Sequence, residues 1–280
     1  MSDDFERAHR ERMSTKDTKR YVATKVPEIT FMFWLIKLWT TGMGEATSDF
    51  LGDHSIAIAG LVGLSGTILA LYLQMRQEKY RAGYYWFMVA MIAVVGTMIA
   101  DAIHDALAIP YPVTTAGFGL ITAILFLYWY RSEGTLSIHT INTRRREWFY
   151  WLTVFFSFAL GTAAGDMTAT TLSLGFLDSI FLFSAVMLIP LIGWWKLGWN
   201  PIFTFWFAYV DTRPIGASFS DWISKPHNIT GLNFGDGHLS GCALVVFIVL
   251  VTWKTMSGHG IQRHHGHPAT ATHALVPETE

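Results

Sequence analysis

The chain has 280 residues, of which 51% are hydrophobic and only 15% charged, with 12 Trp, 20 Phe and a formal net charge of −1. So neutral a balance gives no electrostatic reason to bind nucleic acid. The single cysteine, Cys242, excludes an internal disulfide framework and a paired-cysteine metal knuckle.

Residues 1–25 are polar and mixed in charge, without the pattern of a cleavable signal peptide, and read as a cytoplasmic leader. A single transmembrane domain follows at 26–256. Apolar runs long enough to cross a bilayer predict eight spans, at about 28–50, 55–75, 84–107, 114–130, 148–170, 173–195, 200–221 and 237–254. Residues 257–280 read as a disordered cytoplasmic tail carrying His259, His264, His265, His267 and His273. Such tracts bind transition metals, although a tail that is merely solvated fits equally well.

Of the 20 Lys and Arg, all but Lys37, Arg213 and Lys225 fall on one side of this arrangement. The positive-inside rule makes that side cytoplasmic and puts both termini there. Lys37 and Arg213 lie within spans, and only Lys225 falls outside.

The odd-numbered spans share a pattern. Phe33-Trp34 is followed by Gly44 and Asp49, ten and fifteen residues beyond the Trp. Tyr85-Trp86 leads to Gly96 and Asp101 at the same offsets, Tyr150-Trp151 to Gly161 and Asp166, and Phe205-Trp206 to Gly216 and Asp221. The repeats run at about 26–80, 81–143, 144–197 and 198–256. The fold class expected is an all-α polytopic membrane protein of eight transmembrane helices. They form four parallel tandem helical hairpins, pseudo-symmetric about an axis normal to the membrane.

The segments KVPEITFMFWLIKLWTTGMGEATSDFL, SIHTINTRRREWFYWLTVFFSFALGTAAGDMTA and VDTRPIGASFSDWIS resemble a bacterial family of uncharacterised membrane-anchored proteins. Four tandem two-span repeats of unknown function, with a Trp in each, define that family. The resemblance spans about residues 26–256 and implies a bacterial inner-membrane location and this repeat architecture. It implies no activity.

Each repeated Trp (Trp34, Trp86, Trp151, Trp206) reads as part of an interfacial aromatic belt. Each repeated Gly (Gly44, Gly96, Gly161, Gly216) reads as a close-packing residue, the alternative being a helix break that exposes backbone carbonyls to an ion. The repeated Asp reads less easily as structural, because a carboxylate at a helix C-terminus faces the negative end of the macrodipole; the structural alternative is solvation near the lipid headgroups. Lys37, Thr41, Glu45 and Asp49 recur every four residues along one face of the first span. Asp101, His104 and Asp105 form a second polar group, and Asp211, Thr212, Arg213 and Asp221 a third. Ionisable residues inside a membrane are expensive and mark ion or proton pathways.

Outer halves of spans and outer loops also collect Asp53, Asp178 and Asp236, against Lys225 as the lone base. Such a surface concentrates cations. No cofactor is demanded, but carboxylates with hydroxyls suit a bound divalent cation such as Mn²⁺ or Mg²⁺, with Glu45, Asp49, Asp101, Asp166 and Asp221 as ligands. The function expected is a secondary transporter or exporter of a metal cation, coupled to protons through these carboxylates and not an enzyme. No nucleotide-binding motif is present. The rival readings are a metal- or haem-dependent redox enzyme using His54, His104 and His238, and a non-transporting membrane scaffold. The partners expected are the lipid bilayer and a small cation, with a homo-oligomer left open.

Overall fold

The computed structural model describes residues 24–257. The leader to residue 23 and the His-rich tail from 258 lie outside them. Among the described residues there is no strand and there are eight long helices: α1 (Phe31–His54), α2 (Ile56–Met75), α3 (Ala82–Asp105), α4 (Tyr111–Glu133), α5 (Arg144–Asp166), α6 (Gly175–Leu197), α7 (Pro201–Ser224) and α8 (Asp236–Ser257). A π-turn, Met167–Thr171, prolongs α5.

Local chemistry explains the boundaries. Thr30, Ser55, Thr143 and Asn200 each accept a first-turn amide through the side chain, as N-caps do. Ser55 is the whole connection between α1 and α2, because its extended backbone ends one helix while its hydroxyl starts the next. Gly134 and Gly198 close α4 and α6 in the left-handed conformation, at φ 71° and 63°.

Six helices are long and apolar enough to cross a membrane by length and composition, namely α2, α3, α4, α5 with its π-turn, α6 and α8. The exceptions, α1 and α7, carry Lys37, Glu45 and Asp49, and Asp211, Arg213 and Asp221. Burial separates two layers. The even helices show apolar side chains outward, among them Leu61, Leu120, Leu191 and Val245. The odd helices bury theirs against one another, in a core that holds Phe33, Trp86, Tyr150 and Tyr209.

In the inner layer α1 packs on α3, α3 on α5, α5 on α7 and α7 back on α1. The four repeated glycines make this approach. A Cβ on Gly44 would lie 2.4 Å from Cβ of Ala93, and one on Gly96 2.9 Å from Cβ of Phe158. One on Gly161 would lie 2.2 Å from Cγ of Arg213, and one on Gly216 2.4 Å from Cγ2 of Thr41. The residue met is each time the one seven positions after the Trp of the next helix around the ring.

Outer helices do not fold back mainly on their own hairpin partners. The principal contacts of α2, α4, α6 and α8 are with α3, α5, α7 and α1. A buried ion pair ties the chain start into this arrangement. Nζ of Lys25 lies 2.6 Å from Oε2 of Glu147 on α5, and Nε2 of Gln74 on α2 donates to Oε1 at 3.0 Å. Lys25, expected in the leader, therefore belongs to the packed core.

Replacing Gly44 by Ala should lower stability by about 1–3 kcal/mol, the usual cost of overpacking a tight contact. Gly60→Ala, where nothing lies within 4 Å of the added Cβ, should be neutral or stabilising by up to about 1 kcal/mol. Thermal unfolding of the two variants in detergent tests this contrast. Equal behaviour would remove the glycines from the packing argument.

Candidate functional site

The odd helices meet in layers set by their offsets from the Trp. The first is aromatic. Phe33 packs on Trp86 with ring centroids 5.8 Å apart, Tyr85 on Trp151 at 5.4 Å, Tyr150 on Trp206 at 5.9 Å and Phe205 on Trp34 at 5.8 Å. Trp86, Trp151 and Trp206 are buried within the helix bundle, so these side chains seal the axis instead of forming the belt expected from their sequence position. The Tyr85 and Tyr150 hydroxyls meet at 2.5 Å across the same end.

Next along the axis is Lys37, 1% exposed. Its ammonium stands 4.1 Å from the ring centre of Phe158 and 4.5 Å from that of Tyr209, where ring faces offset part of the loss of water. It bonds Oγ1 of Thr41 at 3.4 Å. Lys37 does not pair with the acids of its own helix.

Arg213 fills the following layer, also 1% exposed. Nη1 donates to the carbonyl of Thr41 at 2.9 Å, Nη2 to that of Ala93 at 3.2 Å and Nε to that of Phe158 at 3.4 Å. These carbonyls belong to the positions equivalent to Arg213 on α1, α3 and α5. Nη2 also donates to the hydroxyls of Thr97 and, at 3.1 Å, Thr162, and lies 3.3 Å from Oε2 of Glu45. Thr97 and Thr162 donate to that same oxygen at 2.9 and 3.3 Å. Three helices thus hold one buried carboxylate against a guanidinium from the fourth.

The acids lie beyond. Carboxylate oxygens of Glu45, Asp49 and Asp221 fall within 4.8 Å of one another. Asp221 is 4% exposed, and its Oδ1 has no hydrogen-bond partner among the described residues. Asp101 and Asp166 are half-buried and within electrostatic reach of both Glu45 and Asp49. The four repeated Asp therefore face a common region.

Lys225, just past α7, lies 2.8 Å from Asp49 and 3.4 Å from Asp236. Burial disfavours its charge, but Asp49, Asp221 and Asp236 outweigh this and push its pKa above the ordinary lysine value. Past Lys225 a cavity of about 520 Å³ is lined by Asp53, His54, Asp236 and His238.

Other expected residues are not brought to this site. Asp105 is exposed at the end of α3. His104 stacks on Tyr111 at 3.6 Å and bonds the carbonyl of Ile109 at 2.9 Å. Asp211 is buried with Oδ2 unpartnered and has no ion pair among the described residues. Only two positions of α7 separate it from Arg213, which turns it to a different face. Thr97 and Thr162 belong to the site although sequence reasoning passed over them. The signal was available, since both stand eleven residues after their Trp, as Glu45 does.

A family model described as Repeat of Unknown Function (DUF347) matches residues 84–135, 149–198 and 204–259. These segments are the second, third and fourth of those marked by the Trp-Gly-Asp spacing. No curated protein and no solved structure matches the chain.

Arg213→Met should cost about 3–5 kcal/mol, because it leaves Glu45 buried without its counter-charge. Adding Glu45→Gln should recover more than half of that loss. Unfolding of both single variants and the double variant measures the coupling. Simple additivity would show that the pair does not act as a unit.

Proposed function

We propose, for a chain that belongs to the Repeat of Unknown Function (DUF347) family, that it is a membrane transporter of a divalent cation, with protons as the counter-ion. The observation that carries this reading is the convergence of Glu45, Asp49 and Asp221 around a buried, unpartnered carboxylate oxygen. A cluster of this kind holds more negative charge than Arg213 and Lys225 neutralise. Inside a membrane such an excess calls for a bound cation or for protons. An all-oxygen donor set is hard and suits Mg²⁺ or Mn²⁺.

The path runs along the axis of the odd helices. A cation arriving through the cavity of Asp53, His54, Asp236 and His238 meets Lys225 first. It replaces that ammonium on Asp49 and reaches Asp221 and Glu45. Arg213, Lys37 and the aromatic layer bar the way beyond, so passage needs a second arrangement in which Arg213 leaves Glu45. Histidine is absent from the converging ligands among the described residues, which favours this reading over a haem or redox centre.

We read residues 26–80 as a fourth copy of the repeat, α1 and α7 as spans alongside the six apolar helices, and the axis as normal to a bacterial inner membrane. The positive-inside rule puts the aromatic layer towards the cytoplasm. On this reading α1 and α7 tolerate their charges because the outer helices and one another shield them from lipid.

Proteoliposomes loaded with a metal-sensing dye should show Mn²⁺ uptake down its gradient with opposite proton movement. Asp221→Asn and Asp49→Asn should lower the rate at least tenfold at normal folded yield, the order expected for losing a charge-assisted ligand. Asp178→Asn, outside the repeated pattern, should leave it unchanged. Acidification should weaken apparent Mn²⁺ affinity, since protons compete for the same oxygens. Normal flux in both Asn variants would sink the assignment of these acids.

A further inference from the structure

A second cavity, of about 650 Å³, lies between the α2–α3 connection and the end of α8. Its walls are largely apolar, from Leu73, Tyr84 and Phe87, and its charges are all basic, from Lys79, Arg81 and Lys254. Lys79 and Arg81 are exposed, whereas Lys254 is 1% exposed. No hydrogen bond or ion pair joins its ammonium to the described residues, and Glu28 is the carboxylate that acts on it electrostatically. With its stem packed and no described group bonded to its ammonium, Lys254 brings a charge to the cavity that still needs a partner. In a cavity lined with further bases it points to an anion.

The backbone adds donors at the same place. Arg81 is the N-cap of α3 and supplies no side-chain cap, so the first-turn amides of Ala82 and Gly83 stand at the cavity wall without one. Nothing lies within 4 Å of where a Cβ on Gly83 would be. A helix N-terminus opening on space favours an anion through its dipole and amides together. Beside it α2 carries an exposed apolar face with Ile68, Leu69 and Tyr72.

We propose that this cavity binds the phosphate of an anionic membrane phospholipid. Lys254 and the α3 amides hold the phosphate from below, Lys79 and Arg81 close over it, and the acyl chains run along Leu73, Phe87 and the apolar face of α2. The apolar walls select a lipid over free phosphate, which would gain nothing from them. Basic pockets between helices at the positively charged side of a membrane protein bind acidic headgroups in this manner. The site is separate from the acids on the axis, so its failure would leave the transport reading standing.

The test is thermal unfolding of the full chain in detergent, titrated with cardiolipin, with phosphatidylcholine or with inorganic phosphate. Cardiolipin should raise the melting temperature saturably, and the other two should not. Lys254→Met should weaken the apparent cardiolipin affinity about tenfold, the usual worth of one charge-assisted contact. Should that variant not fold, Lys79→Gln with Arg81→Gln, both at exposed positions, should weaken it several-fold while the lipid-free melting temperature stays unchanged. Equal stabilisation by phosphatidylcholine would overturn the proposal, as would stabilisation by inorganic phosphate alone. Unaltered cardiolipin affinity in both variants would do the same.

Discussion

A single guanidinium in the middle of four helices sets the terms for everything around it. Arg213 is cut off from water and must find its hydrogen bonds in protein, because a buried charge left short of partners costs several kcal/mol. It takes backbone oxygens from α1, α3 and α5, hydroxyls from Thr97 and Thr162, and the carboxylate of Glu45. The planar fork of an arginine spreads its donors in fixed directions. Three helices must therefore stand in register with the fourth to within hydrogen-bond tolerance. Lysine, with one point charge, could not impose this.

Packing on the ring is subordinate to that demand. Gly161 has no side chain because the stem of Arg213 lies where a Cβ would be. Gly44, Gly96 and Gly216 let the remaining pairs of helices close to the same degree, so that all the carbonyls reach inward. The aromatic layer then excludes water from one end, which strengthens each polar contact behind it. At the opposite end the acids are tied down less completely, with one oxygen of Asp221 lacking a partner and Lys225 bridging Asp49 to Asp236. Rigid polar chemistry at the centre and unsatisfied polar chemistry at one side make the asymmetry on which the proposed transport rests.

Much of this was legible from residue spacing. Long apolar runs separated by Pro, Gly, Ser and Asn located eight helices, and the Trp-Gly-Asp offsets marked the four that meet inside. Spacing says which positions are equivalent, but not which equivalent position each will touch. That the glycine of one helix receives the residue seven beyond the next Trp depends on closure of the ring, a relation between distant parts of the chain. Trp86, Trp151 and Trp206 depart from an interfacial belt for a related reason. Near a helix start in an apolar run, an interfacial Trp and a buried one look alike, and the neighbour's Phe or Tyr decides between them. Asp211 and Arg213 looked like one polar group because they are close in sequence, yet two helical positions are about 200° apart. Glu45 lies with Asp49, as their spacing on α1 implies, but its hydrogen bonds from Thr97 and Thr162 and its counter-charge Arg213 come from other helices.

The outer helices, each resting on the inner helix of the following hairpin, give the molecule the character of a clasp. No hairpin is finished by its own residues, since α2 covers α3, α4 covers α5 and α6 covers α7. The loop of dependencies closes only when α8 reaches α1, with Nε1 of Trp39 bonded to the carbonyl of Ala243 across that junction at 2.9 Å. Among the described helices, α1, bearing Lys37, Glu45 and Asp49, is made first and its outer cover α8 last. Until α8 packs on it, a helix carrying Lys37, Glu45 and Asp49 has an open flank. Removing residues 238–257 would thus uncover α1, the helix farthest from them in the described chain.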